Sequence, residues 1–241
     1  MPASGSLTAT LISRSEIAPG IVDLRLDMQV PPKLEFRAGQ FVSIAVSPTQ
    51  TGGTNPRRSY SIASPCDQGQ HLRFFVRVIP DGAASDYLMA LPLGAPVLMT
   101  GPHGFFVLDG QHVGDIVFGA TGTGVSAVMP MLSALARESA SGRRLLYWGV
   151  RDEEDLFART EIEDLCRAAG CVLRLFLTRP PPGWTGDRGR ITPAIVADCS
   201  GLTTPTFYLV GNGVMISELK RELMARGVDR KKQIRTEAFF D

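Results

Sequence analysis

The sequence predicts an antiparallel β-barrel over residues 1–110 followed by an α/β domain with a parallel sheet over residues 111–241. Two observations predict this. Up to about residue 110 the chain reads as many short strands, and Val22, Leu24, Leu26 and Met28 alternate with Asp23, Arg25 and Asp27 at period two. After about residue 111, short apolar runs alternate with helical patterns, the rhythm of strands joined by crossover helices.

Composition sets the frame. The 241 residues, 44% hydrophobic and 20% charged, suffice for two ordinary globular domains with cores of their own. Lys+Arg 25 against Asp+Glu 24 leaves a net charge of +1, which excludes a global field for nucleic acid or a membrane surface. Cys66, Cys166, Cys171 and Cys199 lack the close paired spacing of zinc or iron–sulfur sites, so no metal is expected. The residues from Met1 to Ser6 carry neither the basic start nor the apolar stretch of a secretory signal. The expectation is a reduced, cytoplasmic monomer with a frayed N-terminus.

The strands of the first part are placed at Val22–Met28, Phe41–Val46, Arg58–Ala63, Leu72–Ile79 and Val97–Met99, with turn-rich stretches such as Thr51–Pro56 between them. In the second part the strands are Ile116–Phe118, Leu145–Trp148, Val172–Leu177, Phe207–Val210 and Gln233–Arg235. Asp152–Asp155 puts negative charge on a helix N-terminus that Gly170 closes, and Thr192-Pro193 reads as an N-cap followed by proline at the first helical position. Pro180–Pro182 is a stiff loop. Ile116 to Ala136 is uncharged over the length of a membrane span, yet Gly119, Gly122, Gly124 and Pro130 make it a strand, a loop and a soluble helix.

Gly119-Ala120-Thr121-Gly122-Thr123-Gly124 follows a strand and opens a helix, where free N–H groups and the helix dipole favour a phosphate. Its spacing is neither G-x-G-x-x-G nor a P-loop, so alone it is equally a tight turn. It stands, however, in an ordered set with Arg58-Ser59-Tyr60-Ser61-Ile62-Ala63-Ser64, Gly101-Pro102-His103-Gly104-Phe105 and Gly211-Asn212-Gly213-Val214-Met215. That set resembles the ferredoxin–NADP reductase family, bacterial type, over nearly the whole chain from about Leu7 to Asp241.

The resemblance implies a flavin-binding barrel, a Rossmann-like nicotinamide-binding domain and chemistry at the seam, with FAD and NADPH as cofactors and NADH as the alternative. Arg58 would pair with flavin phosphate, Tyr60 would stack on the isoalloxazine and Ser61 would hydrogen-bond near its N5; the plain alternative is ordinary strand residues. Gly82 and Ser85 match the family's second phosphate element, with a simple turn and a Ser85 N-cap as the alternative, and Arg77 is counted with the cofactor ligands. On the nicotinamide side stand Gly122, Thr123 and Gly124, then Gly211, Asn212 and Met215. Arg151, Arg179 and Arg188 are the candidates for a 2′-phosphate, although Asp152, Glu153, Glu154 and Asp155 crowd the same region.

In Glu237-Ala238-Phe239-Phe240-Asp241, Phe239 is the expected cover of the flavin's nicotinamide face, ahead of Phe240; the alternative is a terminal anchor packed in the core. The expected catalytic set is Tyr60, Ser61 and Phe239, and His103 is a rim residue. Two departures stand out. Val210 replaces the cysteine of the family's Cys-Gly-Pro, and there is no four-cysteine iron–sulfur module, so electrons are expected to leave to a separate carrier, a ferredoxin or flavodoxin. A reductase component of an oxygenase, a free flavin reductase and a noncatalytic relay subunit are the rival functions. The basic residues Lys220, Arg221, Arg226, Arg230, Lys231 and Lys232 are the expected docking face for an acidic carrier, against a solvated helix face.

Overall fold

The computed structural model describes residues 6–46, 56–108, 110, 114–139 and 142–239. Residues 51–55 of the turn-rich stretch and Phe240 lie outside the described residues.

Six antiparallel strands build the N-terminal sheet: β1 (Ser6–Ala18), β2 (Ile21–Val30), β3 (Phe41–Ala45), β4 (Arg57–Ser61), β5 (His71–Arg77) and β6 (Pro96–His103). Their order is β4-β3-β6-β1-β2-β5. The Ala63 N–H, just past β4, donates to the Arg73 carbonyl of β5 at 2.8 Å, so the two ends of this order meet and the sheet curls into a barrel. Inside lie Leu11, Leu24, Leu26, Val42, Ile44, Phe74 and Met99. The short helix α1 (Ala83–Ala90) follows β5. β1 is a strand the sequence pattern did not reveal, because only Leu7, Ala9 and Leu11 alternate inward before the strand turns polar.

The second sheet is parallel throughout. Its strands are β7 (Ile116–Thr121), β8 (Arg144–Val150), β9 (Cys171–Leu177), the short β10 (Asp187–Arg188), β11 (Thr206–Asn212) and β12 (Ile234–Phe239), ordered β10-β9-β8-β7-β11-β12. Helices α2 (Val125–Leu135) and α3 (Arg159–Ala168) follow β7 and β8, and packing of Phe118, Leu146, Trp148 and Tyr208 with Val128 and Leu132 builds one core. Helices α4 (Ile191–Asp198) and α5 (Gly213–Met224) serve the other, with Val117, Tyr147, Phe207 and Leu209; a single-turn α6 (Arg230–Gln233) precedes β12. The chain leaves β7 toward β8 on one side and returns to β11 on the other, so the strand order reverses between β7 and β11. Parallel sheets of this kind bind ligands outside the carboxyl ends of the strands at that reversal.

The uncharged run from Ile116 is a strand, a 3₁₀ turn and an 11-residue helix. Among the described residues no helix is long and apolar enough to cross a membrane.

Two helix starts differ from the sequence expectation. Asp152–Asp155 does not open α3: Glu153–Asp155 is a separate 3₁₀ turn, and the helix begins after Ala158 in the left-handed region at φ 47°. The intervening Phe157 turns inward to meet Phe75 and Trp148, so burial of that ring outweighs helix continuity. In α4 the N-cap is Arg190 rather than Thr192, which lies inside the first turn with a buried hydroxyl lacking a hydrogen-bond partner. The turn starts early because Ile191 packs over the bare faces of Gly119 and Gly149.

Candidate active site

The loop after β7 is shaped by backbone clearance. A Cβ on Gly124 would sit 3.0 Å from the Val210 carbonyl, and one on Gly211 would meet the Thr121 hydroxyl at 2.3 Å. Gly211 also holds φ at 116°, in a region that favours glycine. These two glycines let the ends of β7 and β11 close on each other, and the Asn212 N–H donates to Thr121 Oγ1 at 2.9 Å across the join. Gly122 faces open space at φ 53°, with the Trp148 indole N–H donating to its carbonyl from behind at 3.0 Å. No side chain caps α2 or the preceding turn. Uncapped N–H groups beside a glycine with free space fit the pyrophosphate of a dinucleotide.

The other nicotinamide-side residues divide by role. Asn212 Oδ1 accepts the N–H groups of Val214 and Met215, making Asn212 the N-cap of α5. Met215 is buried in the core beneath α5. Val210, standing where the family has cysteine, is fully buried.

On the barrel side, β4 carries the predicted flavin residues along one edge strand. Arg58 is exposed, donates to the Arg57 carbonyl at 2.9 Å and has no ion pair among the described residues. Tyr60 packs half-buried on the barrel core, and burial raises its phenol pKa although Arg58 pulls it down. At α1, Gly82 is the N-cap with no side-chain cap, and a Cβ there would lie 2.9 Å from the Ile79 carbonyl. Ser85 is not the N-cap: its buried hydroxyl accepts the Ile79 N–H at 2.8 Å and ties down the loop. That leaves the first N–H groups of α1 open toward a phosphate. Arg77 reaches across the domain boundary, its Nη2 3.3 Å from Asp155.

Barrel and sheet meet at a contact that sequence reasoning missed. Ser61, at the end of β4, donates from Oγ to Glu237 Oε1 of β12 at 3.1 Å. Pairing of Glu237 with Val210 in the β11–β12 ladder aims the carboxyl at the barrel, where Gly104 lies so close that a Cβ would stand 3.4 Å from Glu237 Oε2. Burial pushes the Glu237 carboxyl up to about 7, with the Ser61 hydroxyl working the other way. Phe239, two residues on, is half-buried and packs against the core that spans both domains. The register of β12 is the signal that would have found Glu237: with Phe239 placed over the flavin, residue 237 lies on the same face of the strand.

At the far ends of β8 and β9, Arg179 is clamped by Asp152, with Nε 3.0 Å from Oδ1 and Nη2 against Oδ2. Arg151 has no ion pair among the described residues, and Arg188 donates to the Trp184 carbonyl at 3.3 Å. A cavity of about 380 Å³ bordered by Glu153, Arg159 and Trp184 opens beside them.

The chain matches two family models, the oxidoreductase FAD-binding domain over residues 8–108 and the oxidoreductase NAD-binding domain over 118–221. It is 33% identical over 226 residues to ferredoxin–NADP reductase B of Sorangium cellulosum, covering 91% of each chain. The chain belongs to the ferredoxin–NADP reductase family. The reductase is also 32% identical to methane monooxygenase component C of Methylosinus trichosporium, over 79% of its own length and 56% of that protein. Among solved structures, the Amycolatopsis cytochrome P450 reductase GcoB superposes with a TM-score of 0.85 at 29% identity, covering 98% of this chain and 70% of that one. A ferredoxin NADP⁺ reductase from Neisseria gonorrhoeae, solved with FAD and NADP bound, shares the fold at a TM-score of 0.79, 21% identity and coverage of 98% and 99%. The reductase is thus an FAD-dependent oxidoreductase that moves electrons between NAD(P)H and an electron carrier.

The basic residues named for docking sit badly for that task. Lys231 and Lys232 precede β12, whereas Phe239 ends it, so about six residues of strand, roughly 20 Å, separate them from the site. Arg221 and Arg226 are paired with Glu222.

Proposed function

We propose that the reductase, acting in the cytoplasm, takes electron pairs from NAD(P)H at the seam between barrel and parallel sheet and delivers them singly to a ferredoxin or flavodoxin, or runs that path backwards. The Ser61–Glu237 contact carries this reading, because it sets a half-buried, titrating carboxyl between the flavin side and the nicotinamide side. Bound FAD would supply the exchange between paired and single electrons. The remaining work falls to the chain. Arg58 and the open N-terminus of α1 would hold the flavin's phosphates, and Tyr60 would support its ring. Gly122, Thr123 and Gly124 would receive the nicotinamide cofactor's pyrophosphate, and Phe239 would shield the ring face until that cofactor arrives. With a pKa of about 7, Glu237 is close to half-protonated at neutral pH, so its carboxyl can hold or release a proton beside Ser61.

The carrier would meet the rim around Phe105. That ring is 90% exposed and follows Gly104, which lies against Glu237; Arg57, on the barrel strand that ends at Ser61, has no ion pair among the described residues. An apolar anchor with a cation farther along the same strand suits a small acidic protein. Phe105→Ala combined with Arg57→Glu should slow reduction of an added ferredoxin several-fold at low salt and leave ferricyanide reduction unchanged. An unaffected ferredoxin rate would place docking elsewhere. Likeness to methane monooxygenase component C favours one second reading, in which the acceptor is an oxygenase component, and the same variants would test it with that component as acceptor.

A further inference from the structure

Asp152 has no part in the function proposed so far, yet it holds one of the arginines expected to bind a 2′-phosphate. The contact is two-pronged, Nε and Nη2 of Arg179 on the two carboxylate oxygens. It is also framed. The Asp152 N–H donates to Asp155 Oδ2 at 3.2 Å, the Asp155 N–H returns to the Asp152 carbonyl at 3.1 Å, and Asp155 Oδ1 is held from the barrel by Arg77. The Arg179 N–H in turn donates to the Arg151 carbonyl at 2.8 Å, which extends the β8–β9 ladder and fixes both residues side by side.

We infer that Asp152 is a specificity-determining residue: it keeps Arg179 engaged and so sets how strongly the 2′-phosphate of NADPH is favoured over the free hydroxyl of NADH. The inference rests on the reading that the nucleotide lies along the ends of β7, β8 and β9. An arginine fork binds phosphate through the same pair of N–H groups that Asp152 now occupies. A 2′-phosphate, carrying close to two negative charges, must displace the carboxylate or bind against its repulsion. The unphosphorylated ribose needs neither, and a carboxylate near the end of such a strand can accept a hydrogen bond from its 2′-hydroxyl. Arg151, with no ion pair among the described residues, remains available in both cases.

The test uses nucleotide fragments on the FAD-loaded protein, with binding read by calorimetry. Asp152→Asn should tighten 2′,5′-ADP about two- to fivefold, the scale of one charge contact at an exposed site, and leave 5′-AMP unchanged or weaker. Arg179→Ala should then cost more 2′,5′-ADP affinity in the Asp152→Asn background than in the wild type, because only there is the fork free. An unchanged ratio of the two affinities in Asp152→Asn, or an equal cost of Arg179→Ala in both backgrounds, overturns the role of Asp152. Failure of both fragments to bind any variant would instead remove the nucleotide site from this place, and the inference with it.

Discussion

Where β5 meets α3, the boundary between the domains is closed by rings and charges, whereas where β4 meets β12 the hydrogen bond described across it joins the Ser61 hydroxyl to the Glu237 carboxyl. At the first patch Arg73 binds Asp23 within the barrel at 3.0 Å and Glu161 of α3 through two bonds of 2.6 and 2.8 Å. Its guanidinium lies 4.5 Å over the Phe75 ring, and Phe75 meets Phe157 at 4.8 Å. At the second patch Ser61 and Glu237 meet beside Gly104, which the exposed Phe105 follows. One boundary thus combines a cemented part, which fixes the angle of the domains, with a sparse part that, in the function proposed, keeps space and a titrating group for the cofactors. Rigid support under an open site is what precise placement of two reacting rings requires.

Breaking the cemented patch should have the largest effect. Arg73→Ala leaves Asp23 buried with only Arg25 beside it and should destabilise the fold by about 3 kcal/mol in denaturant unfolding. An unmoved midpoint would mean that the patch does not hold the domains.

Glu237→Gln sharpens the contrast from the other side. The folded carboxyl keeps its proton up to about 7 against an ordinary 4.5, so between these values the unfolded chain binds fewer protons and stability falls as pH rises. The glutamine variant should therefore match the wild type at pH 4 and exceed it by about 2–3 kcal/mol at pH 8. A gain of equal size at both pH values would contradict the burial of that carboxyl.

Phe239→Ala comes next. It should tighten the oxidised nicotinamide cofactor by up to about tenfold while FAD stays bound, since a shielding ring competes with the nicotinamide. Lower melting temperature with unchanged affinity and flavin absorbance would make Phe239 a packing anchor. The smallest effect is expected at Arg137, whose pair with Asp67 is exposed on both sides, so Arg137→Ala should leave the unfolding midpoint unmoved.

Much of this was legible in the chain. Period-two alternation marked β2, and the glycine turn at residues 119–124 marked the join of β7 and α2, because local clearance and periodicity are written in adjacent residues. Their motif singled out Tyr60 and Ser61, and the structure places Tyr60 on the barrel core and Ser61 against Glu237. Glu237 was not legible, because a single glutamate in a strand becomes unusual only when β12 registers against β11 and the barrel covers it. The Asp152–Asp155 run misled in the same way: its helix-capping charges are local, but the fate of Phe157 is decided by Phe75 on another domain. The pairing of Arg179 with Asp152 likewise joins residues that only the β8–β9 ladder makes neighbours.

The central claim is that electrons change hands at the sparse patch and that Glu237 handles a proton there. Anaerobic mixing of the FAD-loaded protein with NADPH or NADH, followed at the flavin absorbance from pH 5.5 to 8.5, tests it most directly. The account predicts bleaching by at least one of the two, with a rate that bends near pH 7 in the wild type and loses that bend in Glu237→Gln. A flavin that neither nucleotide bleaches, or a pH profile identical in the two proteins, would contradict it.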